Sequence, residues 1–154
     1  MSNLTVSPYV ALPAGEGERL AFNGVEIVFK SPAGQEGWTV LEYTLPARQF
    51  GAPRHYHEEL TESFYILEGE AWFRLGDEER TLGPGSIVLV PPGTLHAFAN
   101  RSDRPVRFVA HASNGSHKQF LKELFAMVLT EPVWPPSDPS KMIALGRRFD
   151  TKYV

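Results

Sequence analysis

The stretch HYHEELTE (55–62) with its continuation SFYILEG (63–69) decides the fold. In a strand, residues two apart face the same way. His55 and His57 therefore project to one side. Glu62 lies an odd number of positions from His57, so an uninterrupted strand turns it away. A bend across Glu58–Leu60 brings it back. Beyond Glu62 the alternation continues through Phe64 and Ile66, whose apolar side chains suit the interior of a barrel. Glu62 then stands among apolar groups, where a carboxylate is costly unless it is paired or coordinates a metal. Glu58 and Glu59 read as solvated loop charges, with Glu58 the competing carboxylate.

A second stretch, GSIVLVPPGTLHAFAN (85–100), holds a third histidine. Its strand ends at Pro91, reverses at Pro92-Gly93, where the turn requires such residues, and re-enters with His96. His96 and Phe98 share a face. Imidazole and carboxylate groups suit Zn, Fe, Mn, Ni or Cu. Three neutral imidazoles and one carboxylate leave coordination positions open for water or substrate.

Working outward, short strand-like runs recur: VEIVFK (25–30), WTVLEYTL (38–45), SFYILEG (63–69), EAWFRLG (70–76), AFAN (97–100) and VRFVAHAS (106–113). SIVLV (86–90), apolar throughout, reads as a strand buried on both faces. Thirteen glycines and thirteen prolines, spread between these runs, punctuate them as turns. Short strands at this spacing predict an all-β sandwich or barrel. The period changes at Ser116. Phe120, Leu121, Leu124, Phe125, Val128 and Leu129 fall on one helical stripe, with Ser116 and Gln119 as a capping box. A second short helix is expected from Pro139, capped by Asp138 and ended by Gly146. One domain over 1–154 is expected, with the barrel over about 20–113 and the helices over about 116–148.

Composition narrows the partners. The chain has 154 residues, 42% hydrophobic and 21% charged, as in an ordinary globular protein. A net charge of −3 makes no electrostatic case for nucleic acid. The absence of cysteine removes disulfides, thiolate metal sites and a cysteine nucleophile. The opening MSNLTVSPYV has no basic segment followed by an apolar run, so no signal peptide is expected, and the cytoplasm is the expected location. No apolar run reaches the length of a membrane span.

On these residues the chain resembles the cupin superfamily. His55-x-His57, four residues, Glu62, six residues and Gly69 match the family's first motif; Gly85, Pro91, Gly93, His96 and Asn100 match every place of the second. The fifteen residues between Gly69 and Gly85 fit the spacing of compact bacterial members. One departure is the leading glycine of the first motif, which would fall at Gln49 where the nearest glycine is Gly51. The resemblance implies an antiparallel jelly-roll barrel with an open mouth and a short helical C-terminal segment. It also implies one divalent transition metal ion (Fe, Mn, Ni, Cu or Zn) held by His55, His57, Glu62 and His96. More loosely, the text resembles single-domain bacterial cupins of the quercetin-dioxygenase type.

The expected function is a metal-dependent dioxygenase acting on a small enolic or aromatic, flavonol-like molecule, with Glu62 both ligand and proton acceptor. Tyr43, Phe64, Phe98 and His111 are candidates for the substrate pocket, His111 also having a surface role as its simpler reading. His117 is expected to be exposed in the first helical turn. The alternative is a non-redox cupin: a sugar isomerase or epimerase, for which Arg74 and Arg107 are the strand arginines available, or a binding protein without turnover. The metal itself is catalytic or only stabilises the barrel. A homodimer is expected, with residues 8–12 as a strand that could extend a sheet.

Overall fold

Alternation of apolar and polar residues sends one face of nearly every strand inward. A computed structural model describes residues 9–31 and 37–154. The elements are β1 (Glu18–Phe22), β2 (Val25–Phe29), β3 (Thr39–Leu45), β4 (Phe50–Tyr56), β5 (Glu62–Glu68), β6 (Ala71–Leu75), β7 (Glu78–Leu82), β8 (Ile87–Val90), β9 (His96–Ala99) and β10 (Val106–Ala112). They are followed by α1 (Ser116–Val128), α2 (Ser140–Arg147) and β11 (Lys152–Tyr153). Two sheets result, ordered β1-β2-β3-β10-β5-β8 and β11-β4-β9-β6-β7. The pairings are antiparallel, as hairpins and long returns between facing sheets produce. The protein is mostly β with the cupin barrel architecture and short helices after it.

The core lies between the sheets. Phe64 sits with its ring centroid 5.4 Å from Phe73, 5.4 Å from Phe98 and 5.8 Å from Phe108. Each such buried ring contributes about 1.5–3 kcal/mol through burial, and each offset or edge pair about 0.5–1.5 kcal/mol more. Gly51 explains the displaced glycine of the first motif. A Cβ there would collide with the Phe98 ring, so β4 can approach β9 closely only with glycine at this place.

Several expectations are corrected. SIVLV is not buried on both faces. It forms β8 at the edge of the six-stranded sheet, where Val88 and Val90 point inward while Ile87 and Leu89 are 66% and 65% exposed. In a barrel of two sheets only one face of a strand meets the opposing sheet, and nothing among the described residues covers the outer face of β8. Ser116 does not cap α1; the side-chain oxygen of Asn114 accepts the His117 backbone N–H at 3.1 Å instead. The buried stripe of α1 stops at Val128, and Leu129 is exposed. Asp138 does accept the Ser140 N–H at the start of α2. The chain then returns to the barrel as β11, an element absent from the sequence reading. Residues 9–13 form no strand, and Pro8 lies outside the described residues. Among the described residues, no helix is long and apolar enough to cross a membrane.

Candidate metal centre

His55 is the penultimate residue of β4, and His96 begins β9 directly opposite it in register. Glu62 begins β5 in the other sheet, paired with Val90 and Ala112. His57 lies just past β4, before a bend over 58–60 that reverses the parity of the chain. That bend brings Glu62 back to the side of His57. Glu58 and Glu59 stay exposed, so Glu62 is the carboxylate at the site. The four groups are buried, and their ligand atoms lie within 4.8 Å of one another.

The Nε2 atoms of His96, His57 and His55 stand 2.8, 3.0 and 3.9 Å from Glu62 Oε2. Each ring uses its other nitrogen on a backbone carbonyl: His55 Nδ1 on Pro53 at 2.7 Å, His57 Nδ1 on Asp150 at 2.7 Å, His96 Nδ1 on Thr94 at 2.8 Å. A carbonyl only accepts, so each Nδ1 carries the proton and donates it. In the neutral rings every Nε2 then presents a lone pair to the same carboxylate oxygen. Lone pairs facing lone pairs require a cation between or upon them. A divalent ion fits this donor set, and the carbonyl partners are the outer-shell bonds that orient ligating imidazoles.

Electrostatics agree. Burial raises the Glu62 carboxyl, but the rings of His117, His55, His57 and His96, as N–H donors when protonated, outweigh it and hold the group well below its ordinary range. Burial pushes His55 down to about 4. Burial also opposes charge on His57, yet the Glu62 carboxylate overcomes it and the net shift is upward. His55 therefore favours its neutral form, whereas the upward shift at His57 extends to higher pH the range in which metal binding must expel a proton from it. Affinity for Mn(II) should rise about tenfold per pH unit below the raised His57 value, then flatten. Titration against a competing chelator from about pH 5 to about 8 checks this; a flat profile would contradict it.

A fourth histidine is present at the site, one that the sequence reading placed in solvent. His117 is 7% exposed because α1 lays its N-terminal turn across the barrel mouth. Its Nε2 lies 3.3 Å from Glu62 Oε1, the oxygen turned away from the other three rings. Its Nδ1 is buried with no hydrogen-bond partner among the described residues. The signal was available: His117, Phe120, Leu121 and Leu124 lie on one helical stripe.

An open cavity of about 780 Å³, counted out to its mouth, adjoins His55, Glu62 and His117. Tyr43, Phe64 and Phe98 are among the residues that line it. His111 does not. On β10 its neighbours Ala110 and Ala112 point inward, so His111 points outward, where its Nδ1 lies 3.2 Å from Ser63 Oγ. The sequence reading missed Tyr153, Trp134 and the apolar stripe of α1 as walls. Among the described residues, no lysine or arginine lines the cavity. Arg107 pairs with Glu42 and Glu68 instead, and Arg74 also lies outside the lining.

Residues 41–111 match the cupin domain family model. The chain is similar to quercetin 2,3-dioxygenase of Bacillus subtilis, 32% identical over 93 residues, a stretch covering 59% of this chain and 27% of that enzyme. The match thus spans about a quarter of that relative's length. Among solved structures, it resembles a sugar phosphate isomerase of the cupin superfamily from Silicibacter pomeroyi (27% identity, 59% of this chain and 60% of that one, TM-score 0.53). It also resembles Pac13 of Streptomyces, a nucleoside dehydratase (16% identity, 70% and 82% covered, TM-score 0.55), a likeness of fold. The barrel, the ligand spacing and the match over residues 41–111 converge on a likeness to the cupin domain across that stretch.

Proposed function

We propose that the protein is a metal-dependent dioxygenase for a small enolic or aromatic substrate. One observation carries this reading: an apolar, ring-lined cavity, without a lysine or arginine among the described residues, reaches the cluster at His55 and Glu62. A sugar phosphate would need a guanidinium or ammonium partner there, and the described residues place none on the wall. The similarity to quercetin 2,3-dioxygenase points the same way.

His55, His57, Glu62 and His96 would hold the ion, which when bound supplies Lewis acidity and, if redox-active, electrons for oxygen chemistry. The remaining work falls to the chain. Phe64, Phe98 and the α1 stripe pack a planar ring and exclude water. Tyr43, stacked on Phe108 with centroids 5.2 Å apart, fixes one wall. Burial raises the Tyr43 and Tyr153 phenols, so both stay protonated and can donate to substrate oxygens. His117 donates Nε2–H to Glu62 Oε1, which leaves its Nδ1 lone pair to accept the proton of an acidic substrate hydroxyl. Glu62 thereby supports proton transfer through His117.

The test is oxygen uptake by protein reconstituted with Fe(II), Mn(II), Co(II) or Ni(II), across a panel of enolic and phenolic compounds. Uptake should run one-to-one with substrate loss, since a dioxygenase places both oxygen atoms in product. Substrate turnover without oxygen consumption would assign the site to non-redox chemistry instead.

A further inference from the structure

The bend over 58–60 is held by a single side chain from the far end of the sequence. The Asp150 carboxylate accepts the backbone N–H groups of Glu58, Glu59 and Leu60 at 2.9, 3.1 and 3.0 Å. The Asp150 backbone carbonyl accepts His57 Nδ1–H at 2.7 Å. One residue thus fixes the ring orientation of one candidate ligand and the change of parity that returns another, Glu62, to the same side. Asp150 does this in the left-handed region, at φ +52°, which few residues other than glycine, Asn and Asp tolerate.

The flanking residues lock the arrangement. Lys152 and Tyr153 pair with Tyr56 and His55, and the Val154 N–H reaches the Arg54 carbonyl at 3.1 Å. The Tyr153 ring lies 5.7 Å from that of His55. Gly146 closes the other side, since a Cβ there would collide with the Thr151 carbonyl. Gly146, Asp150 and the segment up to Val154 lie beyond the residues that match the cupin family model.

We propose that Asp150 is a positioning residue for the metal centre, and that docking of segment 146–153 is linked to metal binding. The proposal rests on the metal reading above. The 58 and 59 amides are exposed enough to turn to water if the carboxylate is removed. The main loss is therefore ligand geometry rather than the fold. By linkage, an ion that favours the docked segment must in turn be favoured by it.

Asp150→Gly removes the carboxylate without straining the left-handed backbone. Co(II) affinity, read by its visible ligand-field spectrum in competition with a chelator, should weaken about 10- to 100-fold, as for loss of an outer-shell partner. Asp150→Asn, which keeps one acceptor and the backbone conformation, should fall between. Leu45→Val, a core change at the other end of β3, should lower the melting temperature and leave Co(II) affinity unchanged. In the wild-type chain, Co(II) should slow hydrogen exchange at the amides of 58–60 and 154, a readout that stands even where a variant does not fold. Wild-type affinity in Asp150→Gly, or exchange at 58–60 indifferent to Co(II), overturns the proposal. A wild-type chain that binds no Co(II) overturns the metal reading with it; binding by wild type and Asp150→Gly alike overturns only the role of Asp150.

Discussion

Glu62→Gln strips the protein of its affinity for divalent metal, by more than the 10- to 100-fold that loss of an outer-shell partner costs, and leaves a folded barrel. The side chain keeps its length and shape. What changes is charge and hydrogen: the amide presents N–H groups where the carboxylate presents lone pairs. The Nε2 atoms of His57 and His96, 3.0 and 2.8 Å from Oε2, then find a donor and no longer require a cation. The carboxylate is a buried charge whose desolvation is met only by the surrounding imidazoles.

Acid separates the two further. Because Glu62 is held below its ordinary value, its contribution is present above about pH 4.5 and is lost as pH falls through the depressed value. Metal-free wild type should show that loss and Glu62→Gln should not. His111→Ala is the matched control, since that ring hydrogen-bonds Ser63 on the outer face and should leave metal content unchanged. Elemental analysis after purification without chelator, followed by competition titration, provides the measurement. Retention of metal by Glu62→Gln within about tenfold of wild type would remove the carboxylate from the ligand set.

The four-residue cluster was legible because strand parity and two short turns set it locally. The need for a bend at 58–60 was legible as well, since parity alone turns Glu62 away from His57. What holds the bend was not. Asp150 acts across some ninety residues and marks itself only by a backbone angle that carries no sequence signature. His111 fell to the same parity rule that placed Glu62: with Phe108 and Ala110 inward, the next residue must face out. SIVLV could not be placed from composition, because an edge strand and a two-sided one differ only in their neighbours. His117 was missed for another reason. Its helical stripe was plain, but which part of the barrel the stripe covers is a tertiary fact, and here it covers the mouth.

Asn100 matches the last place of the second motif, yet it takes no part in the metal cluster, and its replacement should damage the fold instead. The residue is 1% exposed. Its Nδ2 group donates to the carbonyls of Leu45, Pro46 and Arg104 at 3.2, 2.9 and 2.7 Å. Its Oδ1 accepts from the N–H and hydroxyl of Ser102 at 3.0 and 2.8 Å. One amide therefore ties the end of β3 to the 101–105 loop, where three carbonyls would otherwise converge without a donor. In Asn100→Ala those groups lose their partner, each at about 1–3 kcal/mol where water cannot enter. Partial hydration limits the total to about 3–5 kcal/mol, a large share of the roughly 5–15 kcal/mol that holds a domain folded. His96 lies four residues away along β9, about 13 Å at strand rise, so the metal affinity of the folded fraction should remain that of wild type. Urea unfolding with and without metal tests both halves. A loss below about 1 kcal/mol would mean that the carbonyls find other donors, and a loss of metal affinity in the folded fraction would mean that this end of the barrel also shapes the cluster.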